Sequence, residues 1–307
     1  MKKIVDQLFN FIAYNNNWQY ILLVMALLAA LIYCNYNSGL QAILYTKLNR
    51  RPVMALVHFT LYFGVFAGAY FLHALFNKDF SYWHNPFFIL VLFAAPLLFA
   101  YQQYFYQHRV WAETNFPTRE ALVFGISAEW LLRSVMLIGF CTIMAVGKKQ
   151  QLYGLQLNSG HGSYTPYFIM LLVMLPVIVM AASQASFQQA YPKLQMALGL
   201  QQNRLRSGII FETCYSINFI AIEFFFRGLL IIAMGQVANK AAIVPMAAFY
   251  CTIHFGKPLM ECVSSFFGGI LLGVVAYYSQ SIIGGIIVHL GIAWMMEIAG
   301  LYFLLRK

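Results

Sequence analysis

Long apolar stretches alternate with short polar segments along most of this 307-residue chain. A helix that spans a bilayer needs about 20 predominantly apolar residues, and the apolar stretches meet this requirement repeatedly. The pattern predicts nine spans, at residues 18–34, 53–76, 87–106, 121–146, 165–184, 209–235, 241–254, 262–279 and 282–305. The stretch 241–254 is short, which favours a partial or tilted helix that is interrupted near Gly256 and Pro258. The pattern therefore predicts an all-α, polytopic membrane helix bundle of eight or nine spans.

Composition supports this interpretation and excludes a soluble fold. Hydrophobic residues make up 62% of the chain and charged residues 9%, against about 25% charged in ordinary soluble domains. The net charge of +10 comes from Lys and Arg residues that stand singly or in pairs between the apolar stretches. This distribution indicates membrane orientation and contact with lipid headgroups rather than nucleic-acid binding. The five cysteines form no C-x-x-C pair, so neither a disulfide framework nor a zinc ribbon is indicated.

Two hydrophilic stretches interrupt the apolar pattern, at residues 148–163 and 185–207. The first is rich in Gly, Gln and Asn and predicts an exposed loop. The second predicts a surface-lying amphipathic helix. The sequence motifs described below lie after the second stretch, so we divide the chain into N-terminal transmembrane helices (1–208) and a motif-bearing transmembrane core (209–307).

Acidic side chains fall inside the predicted spans, where an ionisable group is costly and is by default a functional candidate. The most conspicuous is in the run EFFFRG, where Glu223 and Arg227 are four residues apart and therefore share a helix face. Arg227 at this spacing would orient Glu223 and keep it ionised as a base. A structural ion pair that fixes helix packing is the alternative.

Two histidines follow in the next apolar stretches, His254 in YCTIHFG and His289 in GGIIVHLG. A single histidine in an apolar span is usually a core residue with a satisfied hydrogen bond. Two of them after an intramembrane Glu and Arg favour a shared polar site. One carboxylate and two imidazoles can activate water either as zinc ligands or as a general base with electrophilic partners.

The order of these motifs over residues 209–300 resembles the CPBP family, the CAAX-prenyl-protease and bacteriocin-processing (Abi) intramembrane peptidases. The resemblance implies an endopeptidase that hydrolyses a membrane-embedded or lipidated peptide, in a bacterial cytoplasmic membrane. It implies four catalytic residues, Glu223, Arg227, His254 and His289. If Zn or another divalent metal is the cofactor, its implied ligands are Glu223, His254 and His289.

Two positions depart from the family pattern. The family has two adjacent glutamates in its first motif, and this chain has Ile222 in place of the first one. The family usually has Asn or Asp four residues after the last histidine, where this chain has Ala293. In the family, the first glutamate is generally given the role of activating water, and the amide helps to hold the oxyanion. A non-catalytic scaffold or bacteriocin-immunity-type protein and a proton-coupled transporter are therefore alternative functions.

The remaining acidic residues of the spans have less specific interpretations. Glu129 and Arg133 repeat the spacing of the later Glu and Arg, and we interpret them as an intramembrane ion pair. Glu212 and Glu297 lie about 16 Å and 12 Å along their helices from the motif residues. We expect both to be packing or supporting residues rather than the catalytic base.

Overall fold

The computed structural model describes residues 2–14, 18–37, 51–146, 153–155, 164–195 and 204–306. Helices dominate these residues, and none of them is in a β-strand. Eight helical segments in this part of the chain are long and apolar enough to cross a membrane. The predicted all-α polytopic fold is confirmed. The predicted stretches 209–235 and 241–254 belong to one continuous apolar segment, Leu205–Thr252, among the eight.

The described helices are numbered here in chain order. The N-terminal ones are α1 (Lys2–Tyr14), α2 (Trp18–Asn37), α3 (Arg51–Asn77), α4 (Pro86–Tyr104), α5 (Gln107–Asn115), α6 (Thr118–Val146), α7 (Thr165–Ala182) and α8 (Ala185–Ala190). The later ones are α9 (Arg204–Glu223), a π-helix (Phe224–Ala233), α10 (Met234–Ala238), α11 (Ile243–Thr252), α12 (Leu259–Ser279) and α13 (Ile283–Leu304). Short 3-10 turns lie at Ser81–His84 and Asn239–Ala242.

The chain forms two compact units, each made from two stretches. The first unit comprises Met1–Tyr104 and Phe226–Ser281, and the second comprises Phe105–Phe225 and Ile282–Lys307. Both units contain part of the motif-bearing region. The division of the chain at residue 209 rests on the position of the motifs and stays a prediction.

The core of the first unit is built around α11. All ten residues of this helix are buried, as expected for a helix that is apolar on every side. Gly269 of α12 lies against Ala247, and Gly273 lies against Met246 and Ile243. Small residues at this G-x-x-x-G spacing allow the two backbones to approach closely. The prediction that 241–254 is a short helix interrupted before Pro258 is confirmed, because α11 ends at Thr252 and α12 begins after Pro258.

The core of the second unit is an aromatic cluster between α6 and α9. The indole of Trp130 packs against Phe211 and Tyr215, with ring centroids 4.7 Å apart in both pairs. On another face of this unit, α13 packs closely on α7 because glycines of α13 make room for large side chains. A Cβ atom at Gly291 would lie 2.7 Å from Leu171 Cδ1, and one at Gly284 would overlap the Tyr167 ring.

The two hydrophilic stretches are described only in part. Most of the predicted loop at 148–163 lies outside the described residues. In the predicted surface helix at 185–207, helix α8 ends at Ala190 and a non-helical turn follows at 191–194. Residues 196–203 lie outside the described part of the chain, so the amphipathic helix stays a prediction there.

Candidate functional site

The first motif lies where the backbone changes its winding. Glu223 is the last residue of α9, and the following ten residues form a π-helix. The residues of this π-helix are buried, which fits a run of three Phe followed by Leu and Ile. Stretches of π-helix are rare and occur frequently at functional sites. The motif therefore occupies a non-standard helical segment in the interior of the protein.

Glu223 and His289 form a direct pair within the second unit. The Oε1 atom of Glu223 lies 2.8 Å from Nδ1 of His289. The Glu223 side chain is 0% exposed, and the His289 side chain is 15% exposed. A carboxylate at Glu223 accepts the Nδ1 proton of His289, which leaves Nε2 as the proton acceptor of the ring. Phe219 packs edge-on to the imidazole at 4.6 Å and restricts its orientation.

Arg227 and His254 are both held by Tyr250 within the first unit. The Arg227 guanidinium lies 4.8 Å from the centroid of the Tyr250 ring, a cation–π distance. Arg227 is 1% exposed, so this contact is formed away from solvent. The Nδ1 of His254 donates to the backbone oxygen of Tyr250 at 2.8 Å, and the two rings are 4.6 Å apart. The ring acceptor of His254 is therefore again Nε2.

The structure thus places Glu223 against His289 in the second unit, and Arg227 and His254 each against Tyr250 in the first unit. Sequence reasoning identified all four but gave no role to Tyr250. The available signal was the aromatic residue four positions before His254, since that spacing places it one helical turn away. The pairing of Glu223 with Arg227 and the convergence of Glu223, His254 and His289 stay predictions.

The predicted metal site, Glu223, His254 and His289, stays a prediction. Among the residues that the structure describes, no set of three or more His, Cys, Asp and Glu side chains could hold a metal ion. We therefore derive no chemical step through a metal. Zn or another divalent cofactor stays a prediction.

The two positions that depart from the family pattern have different surroundings. Ile222 is partly buried next to Glu223 at the end of α9. Ala293 is 3% exposed and belongs to the aromatic cluster of the second unit, together with Trp130, Phe211 and Phe219. At the place where the family usually has a polar amide, this protein has a small residue in an apolar core.

The acidic residue of α6 is part of an ionic cluster. Oε1 of Glu129 pairs with Nη2 of Arg133 at 2.6 Å, which confirms the ion pair expected from the sequence. Oε2 accepts a hydrogen bond from Arg109 of α5, and His108 Nε2 lies 3.9 Å from it. Glu129 is thus engaged on both oxygens, which is consistent with a structural role.

Glu297 of α13 accepts hydrogen bonds from two consecutive backbone amides. Its Oε1 accepts from the Lys193 N–H at 3.1 Å, and its Oε2 accepts from the Leu194 N–H at 3.0 Å. Glu297 therefore fastens the turn after α8 to α13. Glu212 of α9 borders a surface groove instead, and neither residue contacts His289 in the described interactions.

Comparison with known proteins supports the resemblance. Residues 209–295 match the family model described as Rce1-like, type II CAAX prenyl endopeptidase. The match covers α9, the π-helix and most of the helices that follow, and it includes all four predicted catalytic residues. No curated protein and no solved structure matches the chain.

Proposed function

We propose that this protein is an intramembrane endopeptidase that hydrolyses a peptide bond of a membrane-associated substrate, with Glu223 and His289 acting together as the base. The observation that carries the proposal is the 2.8 Å contact between these two side chains. It lies within the region that matches the CAAX endopeptidase family. Both residues are on helices long and apolar enough to span a membrane.

The geometry favours His289 as the group that meets water. Glu223 is fully buried, whereas His289 is partly exposed. His289 Nε2 removes a proton from a water molecule, and the water oxygen forms a bond to the carbonyl carbon of the peptide. The Glu223 carboxylate stabilises the imidazolium that results, as buried acids do for histidines in other hydrolases. His289 then returns the proton to the leaving amine as the C–N bond breaks.

Arg227 and His254 are further catalytic residues in this proposal, on the strength of the motif. Tyr250 fixes the orientation of both through its ring and its backbone oxygen. A preorganised guanidinium or imidazole can stabilise negative charge that develops on a carbonyl oxygen. Single variants of each residue, assayed for cleavage and for folding, test these assignments.

The proposed substrate is a membrane-embedded or lipidated peptide, and the proposed location is a bacterial cytoplasmic membrane. Both follow from the family resemblance of the motif region. The alternative is a non-catalytic protein of the same fold, and the apolar surroundings of Ala293 favour it. A divalent metal at Glu223, His254 and His289 is tested by metal analysis of the purified protein and by cleavage in the presence of chelators.

The test is cleavage of a panel of quenched fluorescent transmembrane peptides by the purified protein in liposomes. We expect His289→Ala and Glu223→Gln to lower the cleavage rate by about 10²-fold or more, the usual contribution of a general base. His84→Ala and Glu113→Gln are the matched controls, because both residues are exposed and distant in sequence from the motifs. A folded His289→Ala variant that cleaves at the wild-type rate would refute the proposal.

A further inference from the structure

A groove runs along α9 in the second unit. It has a volume of about 590 Å³ and is bordered by α9, by Trp294 of α13 and by Leu194. Most of the α9 residues that line it are apolar, including Leu205, Ile209 and Ile220. The lining residues of α9, apolar and polar together, recur at helical spacing from Leu205 to Ile220, so they form one continuous face of the helix.

One polar atom in this groove lacks a hydrogen bond. Glu212 Oε1 is buried and has no hydrogen-bond partner among the described residues. Of the hydroxyl groups beside it, Thr213 donates to the Ile209 oxygen and Ser216 accepts from the Trp294 indole, and neither hydrogen bond involves Glu212. A buried carboxyl oxygen without a donor is costly, especially at membrane depth. A ligand in the groove that donates a hydrogen bond to Glu212 would remove this cost.

The groove leads toward the candidate catalytic pair. Ile220, at one end of the groove, precedes Glu223 by three residues on the same helix. Glu212 and Glu223 are eleven residues apart, which corresponds to about 16 Å along the axis and to nearly the same helix face. An extended peptide covers this distance with about five residues, at about 3.3 Å per residue.

We propose that this groove binds an extended segment of the membrane peptide substrate, and that Glu212 accepts a hydrogen bond from a substrate hydroxyl about five residues from the cleaved bond. The inference rests on the proposed function, since it takes Glu223 and His289 as the site of cleavage. A peptide with one Ser or Thr among apolar residues packs its apolar side chains against the groove and donates its hydroxyl proton to Glu212. A lipid tail provides no donor, and an ammonium group is costlier than a hydroxyl at membrane depth.

The experiment uses photo-crosslinking of synthetic apolar transmembrane peptides to the full-length protein in phosphatidylcholine and phosphatidylglycerol liposomes. The peptides carry a diazirine and differ only by Thr or Val at one position, which is moved through five successive positions. At one of these five positions, we expect the wild-type protein to capture the Thr peptide about three- to ten-fold better than the Val peptide, which is the effect of one hydrogen bond. We expect the crosslinks to map to the groove residues of α9 and α13.

Three variants make this test specific. Glu212→Leu should abolish the preference for Thr, whereas Glu113→Gln, an exposed carboxyl outside the groove, should keep it. Ile209→Trp fills the groove and should reduce capture of both peptides, which tests the site if Glu212→Leu does not fold. A Thr preference that survives Glu212→Leu, equal capture in every register, or unchanged capture by Ile209→Trp would overturn the proposal. Labelling of the groove by a diazirine lipid that the peptides do not displace would also overturn it.

Capture is measured in the wild-type protein and again in the His289→Ala background, where it does not depend on hydrolysis. A Thr preference without any cleavage by the wild-type protein refutes the proposed peptidase and leaves the docking site. Cleavage without a Thr preference refutes the docking site and leaves the proposed peptidase. If both hold, mass spectrometry should place the cleaved bond about five residues from the preferred Thr.

Discussion

His254 donates its Nδ1 proton to the backbone oxygen of Tyr250, one helical turn earlier, at 2.8 Å. The ring of the same tyrosine faces Arg227 at 4.8 Å. Tyr250 thereby orients two predicted catalytic residues by two different interactions. We predict that Tyr250→Leu lowers the free energy of unfolding by about 1–2 kcal/mol through loss of the cation–π contact and slows cleavage, whereas Tyr250→Phe, which keeps the ring, has a smaller effect on both. Thermal unfolding in detergent and the peptide assay measure these effects. Equal behaviour of the Leu and Phe variants would contradict the prediction.

Ala293 provides a second prediction, which concerns the missing amide of the family motif. Its side chain is buried in a predominantly aromatic cluster, so an amide placed there loses its hydration in largely apolar surroundings. We predict that Ala293→Asn lowers the free energy of unfolding by about 1–3 kcal/mol and does not increase peptide cleavage. Ala293→Val, which adds similar bulk without polar atoms, is the control for overpacking. A stable Ala293→Asn variant with higher activity would show that this position faces the catalytic site instead.

Glu297 provides a third prediction, on the turn after α8. Its carboxylate accepts from the amides of Lys193 and Leu194, and a Gln side chain retains one acceptor oxygen. We predict that Glu297→Gln lowers the free energy of unfolding by about 1–3 kcal/mol. Hydrogen–deuterium exchange should become faster in the peptide that contains residues 191–195. Unchanged exchange in this peptide would exclude the role of Glu297 in holding the turn.

The long apolar helices could be located from the sequence because their signal is the length of an apolar stretch. Two other elements could not be located. Helix α5, Gln107–Asn115, is polar and falls between the predicted spans 87–106 and 121–146. The π-helix at Phe224–Ala233 has no signal in the periodicity of a run that is apolar on every side. Such a run looks the same whether it is wound as an α-helix or a π-helix.

The sequence predicts which residues belong to the candidate site, but not all of the contacts between them. The motifs identified Glu223 and His289, but only the structure places their side chains in contact across 66 positions of sequence. The ionic cluster at Glu129 also shows that a local sequence pattern identifies only the partners on the same helix. Its i, i+4 partner Arg133 follows from helical spacing, whereas Arg109 is twenty residues away on a separate helix. Contacts between helices depend on tertiary packing, which residue spacing does not encode.

The proposed mechanism requires Glu223 and His289 to act as one catalytic unit. The most direct measurement is a double-mutant cycle on the rate of peptide cleavage with Glu223→Gln, His289→Ala and the double variant, each with unfolding measured in parallel. Residues that act as one unit give strongly non-additive losses, so we predict that the double variant cleaves no more slowly than the slower single variant. Losses that multiply in a folded double variant would contradict it, because they would mean that the two side chains contribute independently.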